Sequence, residues 1–162
     1  MITRFRVILS EGDPMTTCTF FGHRDTPETV EPLLRTTLLD LINNIHVTLF
    51  YVGNNGNFDR MVKNTLKLLK LAYPQIQYAV ILAYKPRENN PWDLANRSPT
   101  IFPDALENTP PKAAIPRRNQ WMLDRSDYVI TYITRTWGNA AQFKKLAEKK
   151  GKVVLNLAEY TV

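Results

Sequence analysis

The amino-acid sequence predicts an α/β protein whose mainly parallel sheet carries helices on both faces. Short apolar runs rich in β-branched and aromatic residues alternate with longer segments of helical periodicity, as expected for strands joined by crossover helices. The chain has 162 residues, of which 44% are hydrophobic, which suits one packed domain and argues against intrinsic disorder. We expect a single five-stranded sheet with the strand order 3-2-1-4-5.

Apolar runs bounded by turn residues predict five strands, at residues 17–21, 47–52, 78–83, 128–133 and 152–157. Apolar residues at helical spacing predict helices between them, over residues 27–43, 57–73, 117–123 and 139–150. Asp25 or Thr26 should cap the first helix, and Glu28 lies three residues after Asp25, as a capping box requires. Pro74 and Gly151 should end the second and the last helix.

Two segments do not fit this alternation. Residues 85–116 hold seven of the eleven prolines, and a structureless insert of this length is usually a functional lid or a disordered segment. If the insert is a lid, Trp92 or Phe102 would close over a ligand. The alternative is that the insert forms a contact between subunits. Residues 1–14 are interpreted as an N-terminal extension, with an extra strand as the alternative. Residues 15–162 then form one domain.

Charge and cysteine content exclude several classes of protein. The 21 Lys and Arg residues against 15 Asp and Glu residues give a net charge of +6, which favours anionic partners. The lone Cys18 excludes a disulfide scaffold, and together with two histidines it offers no metal-ligand spacing. No apolar run approaches the about 20 residues that cross a bilayer, and a secretion signal is not expected. We expect a cytoplasmic protein with no metal and no membrane partner.

No redox cofactor is expected either. Dinucleotide-dependent redox enzymes carry a Gly-x-Gly-x-x-Gly turn after the first strand, because the backbone must approach the pyrophosphate closely. This chain has only Gly22 at that place.

The loops that follow the predicted strands indicate a binding site instead. In open parallel sheets these loops gather at the carboxyl edge, where ligands bind, and here each leads into a helix whose free N–H groups favour an anion such as phosphate. The candidate ligand-binding residues are Gly22, His23, Arg24, Gly53, Asn54, Asn55, Gly56, Asp59, Arg118, Asn119, Thr134, Trp137, Gly138 and Asn139. No catalytic residue is assigned.

Several of these residues have a purely structural interpretation as well. Gly53 and Gly56 suit an ordinary tight turn as much as a ligand's close approach. His23 can satisfy its hydrogen bonds locally. Arg24 suits a two-point grip on phosphate, or it pairs with Asp25 at the surface.

The adjacent arginines and the tryptophans also leave two interpretations open. Arg117 and Arg118 open a short helix and cannot both face inward, so one of them should reach the crevice, unless both are solvated. Trp121 is the best candidate for the core. Trp137 is the best candidate for stacking on a base, because it lies in a loop.

Three stretches together resemble the SLOG superfamily of Rossmann-like domains. TCTFFGHRDTP at residues 17–27, YVGNNGNFDRMV at 51–62 and RRNQWMLDRSDYVITY at 117–132 are similar to its signatures and stand in the right order. The superfamily includes the DNA-processing protein A family, the "lonely guy" phosphoribohydrolases and small YpsA-like proteins of bacteria and phages. The resemblance covers residues 15–157 and rests on the GHR segment, on Gly53, Gly56 and Asp59, and on Arg118-Asn119 with Ser126-Asp127.

The resemblance implies a Rossmann-like fold with a pocket for a nucleotide or nucleotide-derived ligand, whose phosphates lie at the helix starts after strands one and four. Relatives often pair, so a homodimer or a higher homo-oligomer is expected. The phosphoribohydrolase branch carries a Pro-Gly-Gly-x-Gly-Thr-x-x-Glu pattern after strand four, whereas this chain has Ala141 and Gln142 near the position of the glutamate. A neutral amide can hold a ribose hydroxyl but cannot act as a general base.

Three functions follow as hypotheses. The first is a sensor or sequestering module that binds an ADP-ribose-like molecule or a signalling nucleotide without turnover. The second is a nucleotide phosphoribohydrolase or N-glycosidase that takes its carboxylate from Asp25 or Asp59. The third is single-stranded nucleic-acid binding, which predicts an affinity that falls steeply with salt.

Overall fold

A computed structural model describes residues 16–86 and 98–160, together with the backbone of Trp92–Asp93. Its strands are β1 (Thr17–Gly22), β2 (Leu49–Val52), β3 (Gln77–Ile81), β4 (Trp92–Asp93), β5 (Ser98–Ile101), β6 (Tyr128–Tyr132) and β7 (Val153–Asn156). They form one sheet in the order β4-β5-β3-β2-β1-β6-β7. Neighbouring strands are parallel, except that the short β4 runs antiparallel to β5.

The predicted α/β fold and the predicted strand order are confirmed. The five predicted strands correspond to β1, β2, β3, β6 and β7, and their spatial order is β3-β2-β1-β6-β7. The sheet has a further parallel strand, β5, which pairs with β3 at Val80 and Ile81. Sequence reasoning missed β5 because Pro99 interrupts a short apolar run, and proline in a strand is tolerated mainly near the edge of a sheet.

Helices lie on both faces of the sheet, as predicted. They are α1 (Glu31–Asp40, continued by a π-helical turn at Leu41–Ile45), α2 (Gly56–Ala72), α3 (Pro111–Asp124) and α4 (Asn139–Lys149). Successive strand residues point to opposite faces, so Phe20 packs with residues of α1 and α2, whereas Phe21 packs with residues of α3 and α4. In the described ranges, no helix combines the length and the apolar character needed to span a membrane.

The start of the first helix differs from the prediction. A 3-10 turn at Glu28–Val30 precedes α1, and no side chain caps it. Asp25 pairs with Arg135 instead, and the Thr26 hydroxyl donates to the His23 carbonyl oxygen at 2.7 Å. The expected capping box is thus replaced by contacts that tighten the loop after β1.

The helix before β6 begins at Pro111, six residues earlier than the predicted start at Arg117. Proline suits the first position of a helix, because its fixed φ matches the helix and its missing N–H would have no partner there. The expectation of a structureless insert is therefore wrong for β5 and for the first turns of α3. Residues 87–91 and 94–97 of that segment, the Trp92 side chain and the predicted extension at residues 1–14 lie outside the described residues.

Candidate functional site

The loops after β1, β2 and β6 enclose, with the middle of α3, a cavity of about 220 Å³ at the carboxyl edge of the sheet. Ten of the residues predicted to bind a ligand line it. They are Gly22, His23 and Arg24 after β1, Asn55 and Asp59 after β2, Arg118 and Asn119 of α3, and Trp137, Gly138 and Asn139 after β6. The structure therefore brings together the loops that sequence reasoning expected to converge.

Four of the predicted residues do not line the cavity. They are Gly53, Asn54, Gly56 and Thr134, which contact other residues of the loops, of α2 and of α3. Sequence reasoning missed five lining residues, which are Phe20, Phe21, Ile115, Arg135 and Ala140. The apolar ones resemble core residues in the sequence. Arg135 had an available signal, because it lies in the same loop as Thr134 and Trp137.

Arg118 is buried at the cavity wall with only 2% of its surface exposed. Its guanidinium donates to the Ile81 carbonyl oxygen (Nη1–O 3.1 Å) and to the Asn55 side chain (Nη2–Oδ1 3.1 Å), and its Nε donates to Asn119 Oδ1 at 2.9 Å. Such bonds offset the loss of hydration when a cation is buried. Burial lowers the pKa of Arg118, but arginine stays charged at neutral pH. Its neighbour Arg117 is exposed and lies outside the cavity.

Asp59 brings a carboxylate to the cavity wall. Its Oδ2 accepts the Asn55 backbone N–H at 3.0 Å. A Cβ atom at position 53 would lie 2.6 Å from this oxygen, so Gly53 leaves the room that the carboxylate occupies. Burial raises the pKa of Asp59 to about 6 against the opposing effect of the Arg118 charge, because a buried carboxylate loses hydration. The charge of the cavity wall therefore changes close to neutral pH.

Lys63 of α2 is a second buried cation close to Asp59. Its exposed fraction is 5%, and its Nζ donates to Asn54 Oδ1 at 3.3 Å. The charges of both Arg118 and Lys63 act on the Asp59 carboxylate. The cavity itself is lined by three arginines, Arg24, Arg118 and Arg135, and, among the described residues, by one carboxylate, that of Asp59. This excess of positive charge in the lining attracts an anion.

His23 joins the loop after β1 to the loop after β6. Its Nε2 accepts the backbone N–H of Thr134 at 3.0 Å, which places the proton of the neutral ring on Nδ1. Burial lowers the pKa of His23, and the nearby charge of Arg135 adds to this effect. The neutral acceptor form is thereby favoured, and the loop that carries Trp137 is held in place.

The mouth of the cavity carries two arginines in different surroundings. The Arg24 side chain is exposed, and its guanidinium makes no hydrogen bond or ion pair within residues 16–86 and 98–160. Arg135 pairs with Asp25 (Nη1–Oδ2 3.3 Å), and its guanidinium carbon lies 4.3 Å from the centroid of the Trp137 ring. The surface pair of Arg24 with Asp25, considered from the sequence, is therefore not formed, because Asp25 binds Arg135.

Other polar residues singled out from the sequence lie away from the cavity. The Ser126 hydroxyl donates to the Met122 carbonyl oxygen, and Asp127 Oδ2 accepts the backbone N–H of Thr17, which fastens β6 to the start of β1. Gln142 is exposed on α4 and does not line the cavity. Over the described ranges, no three His, Cys, Asp or Glu side chains are grouped so as to hold a metal ion.

No protein-family model and no curated protein matches the chain. Among solved structures, DNA processing protein A from Streptococcus pneumoniae matches with a TM-score of 0.62 and 13% sequence identity, over 86% of this chain and 49% of that chain. DNA processing protein A from Helicobacter pylori, in a structure described for its single-stranded DNA binding mode, matches with a TM-score of 0.59 and 15% identity, over 86% of this chain and 63% of that chain. This chain thus spans about half to two thirds of the length of those proteins. At such low identity the similarity is one of fold, and it shows that the chain has a Rossmann-type fold like that of DNA processing protein A.

Proposed function

We propose that this protein binds a nucleotide or a nucleotide-derived anion, such as an ADP-ribose-like molecule or a signalling nucleotide, and acts as a sensor or a sequestering module. The binding site is the cavity at the carboxyl edge of the sheet. The observation that carries the proposal is the balance of charge. Three arginines line the cavity, Arg24, Arg118 and Arg135, whereas Asp59 is the one carboxylate among the described residues that does. The guanidinium of Arg24 at the mouth forms no hydrogen bond or ion pair with the described residues.

A bound anion would complete this arrangement. Buried charges lose hydration free energy that their neighbours must offset, and of the described residues three arginines but only one carboxylate line the cavity. The guanidinium of Arg24 offers the planar set of N–H donors that suits two-point binding of a phosphate. A phosphate at the mouth would therefore place negative charge where positive charge is in excess.

The volume of the cavity limits how much of the ligand it encloses. At about 220 Å³ it is smaller than the roughly 300–1,000 Å³ of pockets that enclose a drug-sized molecule. Its size suits the phosphate and ribose of a nucleotide. The base would then lie at the open side, next to Trp137.

The carboxylates around the cavity favour binding over hydrolysis. Glycoside hydrolysis generally uses two carboxyl groups that flank the bond to be broken. Of the described residues, Asp59 is the one carboxylate that lines the cavity, and Asp25 is paired with Arg135. Incubation with nucleoside monophosphates followed by analysis for free base tests this point. Sustained release of base would establish the phosphoribohydrolase or N-glycosidase alternative.

Isothermal titration calorimetry with ADP-ribose and with nucleoside monophosphates tests the proposal itself. The variant Arg24→Gln should bind about tenfold or more weakly, because a hydrogen bond to a charged group contributes roughly 1.5–3 kcal/mol. Arg117→Gln is the matched control, since Arg117 is an exposed arginine outside the cavity. No binding of these compounds at millimolar concentration, or equal losses in the two variants, would contradict the proposal. Mass spectrometry of small molecules released from the purified protein would identify the natural ligand.

Single-stranded DNA is the second candidate ligand. It is favoured by the similarity in fold to a protein described for its single-stranded DNA binding mode and by the net charge of +6. Binding that neutralises several phosphates releases counterions, so the affinity should fall steeply between about 50 and 200 mM salt. Fluorescence anisotropy with a labelled oligothymidine measures this. An affinity that is absent or insensitive to salt excludes DNA binding.

A further inference from the structure

We propose that Trp137 recognises the base of the bound nucleotide, which stacks on the open face of the indole ring while Arg135 supports the other face. This inference rests on the proposed function and names the chemical class of the ligand. The class is an aromatic nucleotide, and purine nucleotides bind best.

The position of Trp137 is the first observation. Its side chain lines the cavity mouth although 66% of its surface is exposed. Trp121, by contrast, is partly buried and packs edge-on against Tyr51 with the ring centroids 5.2 Å apart. Covering an exposed indole ring with another flat apolar surface is favourable, because it removes apolar surface from water.

The second observation is that Arg135 holds the ring from one side. Its guanidinium carbon lies 4.3 Å from the ring centroid, and its Nη1 lies 3.3 Å from each carboxylate oxygen of Asp25. The ion pair, although exposed, favours the position of the guanidinium over the indole. One face of the ring is therefore occupied, and the opposite face is available to a ligand.

The loop that carries Trp137 is anchored on both sides. The Thr134 N–H donates to His23 before it, and after it the Gly138 carbonyl oxygen accepts the Gln142 N–H at 3.1 Å as α4 starts. Neither anchor needs a ligand. The ring is thus positioned before binding, so that stacking costs little conformational entropy.

A stacking surface selects its ligand by aromatic area. A ribose phosphate offers no aromatic ring, a pyrimidine nucleotide offers one and a purine nucleotide offers two fused rings. Removal of an aromatic side chain that stacks on a base typically weakens binding by about ten- to hundredfold. Affinity should therefore rise from ribose phosphate to pyrimidine nucleotide to purine nucleotide.

Calorimetric titration of the full chain with adenosine 5′-monophosphate, cytidine 5′-monophosphate and ribose 5-phosphate separates recognition of the base from recognition of the phosphate. The adenine nucleotide should bind about tenfold or more tightly than ribose 5-phosphate. Trp137→Ala should remove this advantage and leave the affinity for ribose 5-phosphate unchanged, whereas Trp137→Phe should keep most of it. Trp121→Phe is the control and should behave as the wild type.

The outcomes distinguish this inference from the proposed function. Equal affinity of the wild type for the adenine nucleotide and ribose 5-phosphate overturns the stacking role. Equal weakening of both compounds by Trp137→Ala does the same, and in both cases phosphate binding in the cavity stands. If neither compound binds, the proposed function and the stacking role are both overturned.

Discussion

Asp59 and Arg118 are charged side chains that the fold takes out of water, and the chemistry of the cavity depends on how they are held. Three hydrogen bonds hold the guanidinium of Arg118, and the Asn55 N–H holds the carboxylate of Asp59. Gly53 makes room for both, since a Cβ atom there would lie 2.6 Å from Asp59 Oδ2 and 3.0 Å from Arg118 Cζ. The pair therefore depends on one residue that has no side chain.

The affinity for ADP-ribose should increase as the pH falls from about 7 to about 5. The diester phosphates of this ligand keep their charge over that range, whereas the Asp59 carboxylate, with its pKa of about 6, takes up a proton. The cavity then loses one negative charge and attracts the anion more strongly. Calorimetric titrations should show a gain of several-fold, with about tenfold, or about 1.4 kcal/mol, as the most that one group with this pKa can give.

Asp59→Asn provides the control for this pH dependence. The amide has nearly the same shape and cannot titrate, so the variant should bind ADP-ribose with an affinity that changes little over the same range. A pH dependence as large as that of the wild type would rule out Asp59 as its source.

At the scale of elements, two glycines lie at the starts of the helices α2 and α4, which border the cavity. Gly56 is the first residue of α2 and has a φ of +88°, while Gly138 precedes α4 with a φ of +95°. Both adopt the left-handed backbone that other residues rarely adopt. Their surroundings differ, because Gly56 lies against the Arg24 backbone, whose carbonyl oxygen accepts the Asn57 N–H, whereas Gly138 faces open space.

Gly56→Ala should destabilise the protein more than Gly138→Ala. Both variants strain the backbone, at a cost of roughly 1–3 kcal/mol. In Gly56→Ala the new Cβ would also lie 2.7 Å from the Arg24 Cα, which can move only if the loop after β1 moves. Urea denaturation should show a difference in unfolding free energy of about 1 kcal/mol or more. Equal losses in the two variants would contradict the close packing of α2 against that loop.

At the scale of the whole molecule, the strand order encloses β1 completely. This strand lies between β2 and β6 and is covered by helices on both faces. Cys18 of β1 has no exposed surface, and burial raises the pKa of its thiol. A thiol that is both inaccessible and protonated should not react until the fold opens.

Cys18 should therefore report global unfolding. It is the single cysteine of the chain, so the reaction with dithionitrobenzoate follows one site. In the native protein the reaction should be at least about a thousandfold slower than in the urea-unfolded chain, as a stability of about 5 kcal/mol or more implies. Its rate should rise with urea in parallel with the unfolded fraction. Fast labelling under native conditions would contradict the enclosed position of β1.

Much of the fold could be predicted because its signals are local and repeat along the chain. Apolar runs of strand length and stripes of helical spacing marked five strands and the helices between them, and parallel strands bring their following loops to one edge. The proline-rich part of the chain was harder. Proline usually argues against regular structure, yet Pro99 lies in β5 next to the sheet edge and Pro111 opens α3.

The location of the candidate site could be predicted from the sequence, but the pairing of its charged side chains could not. Arg24 and Asp25 are neighbours in the chain, and their pairing was a reasonable expectation. The carboxylate of Asp25 binds Arg135 instead, 110 positions away. In the same way, Arg118 donates to Asn55, which lies 63 positions away in the chain. No local sequence pattern predicts either of these long-range contacts.

By itself, therefore, the sequence determined the class of fold, the order of its elements and the loops that surround the cavity, since periodicity and chain direction impose these. The tertiary structure alone decided which charges are buried, which are paired and which remain open at the mouth. Burial and pairing depend on the distances between segments that lie far apart in the chain, and these distances exist only once the sheet and its helices have packed.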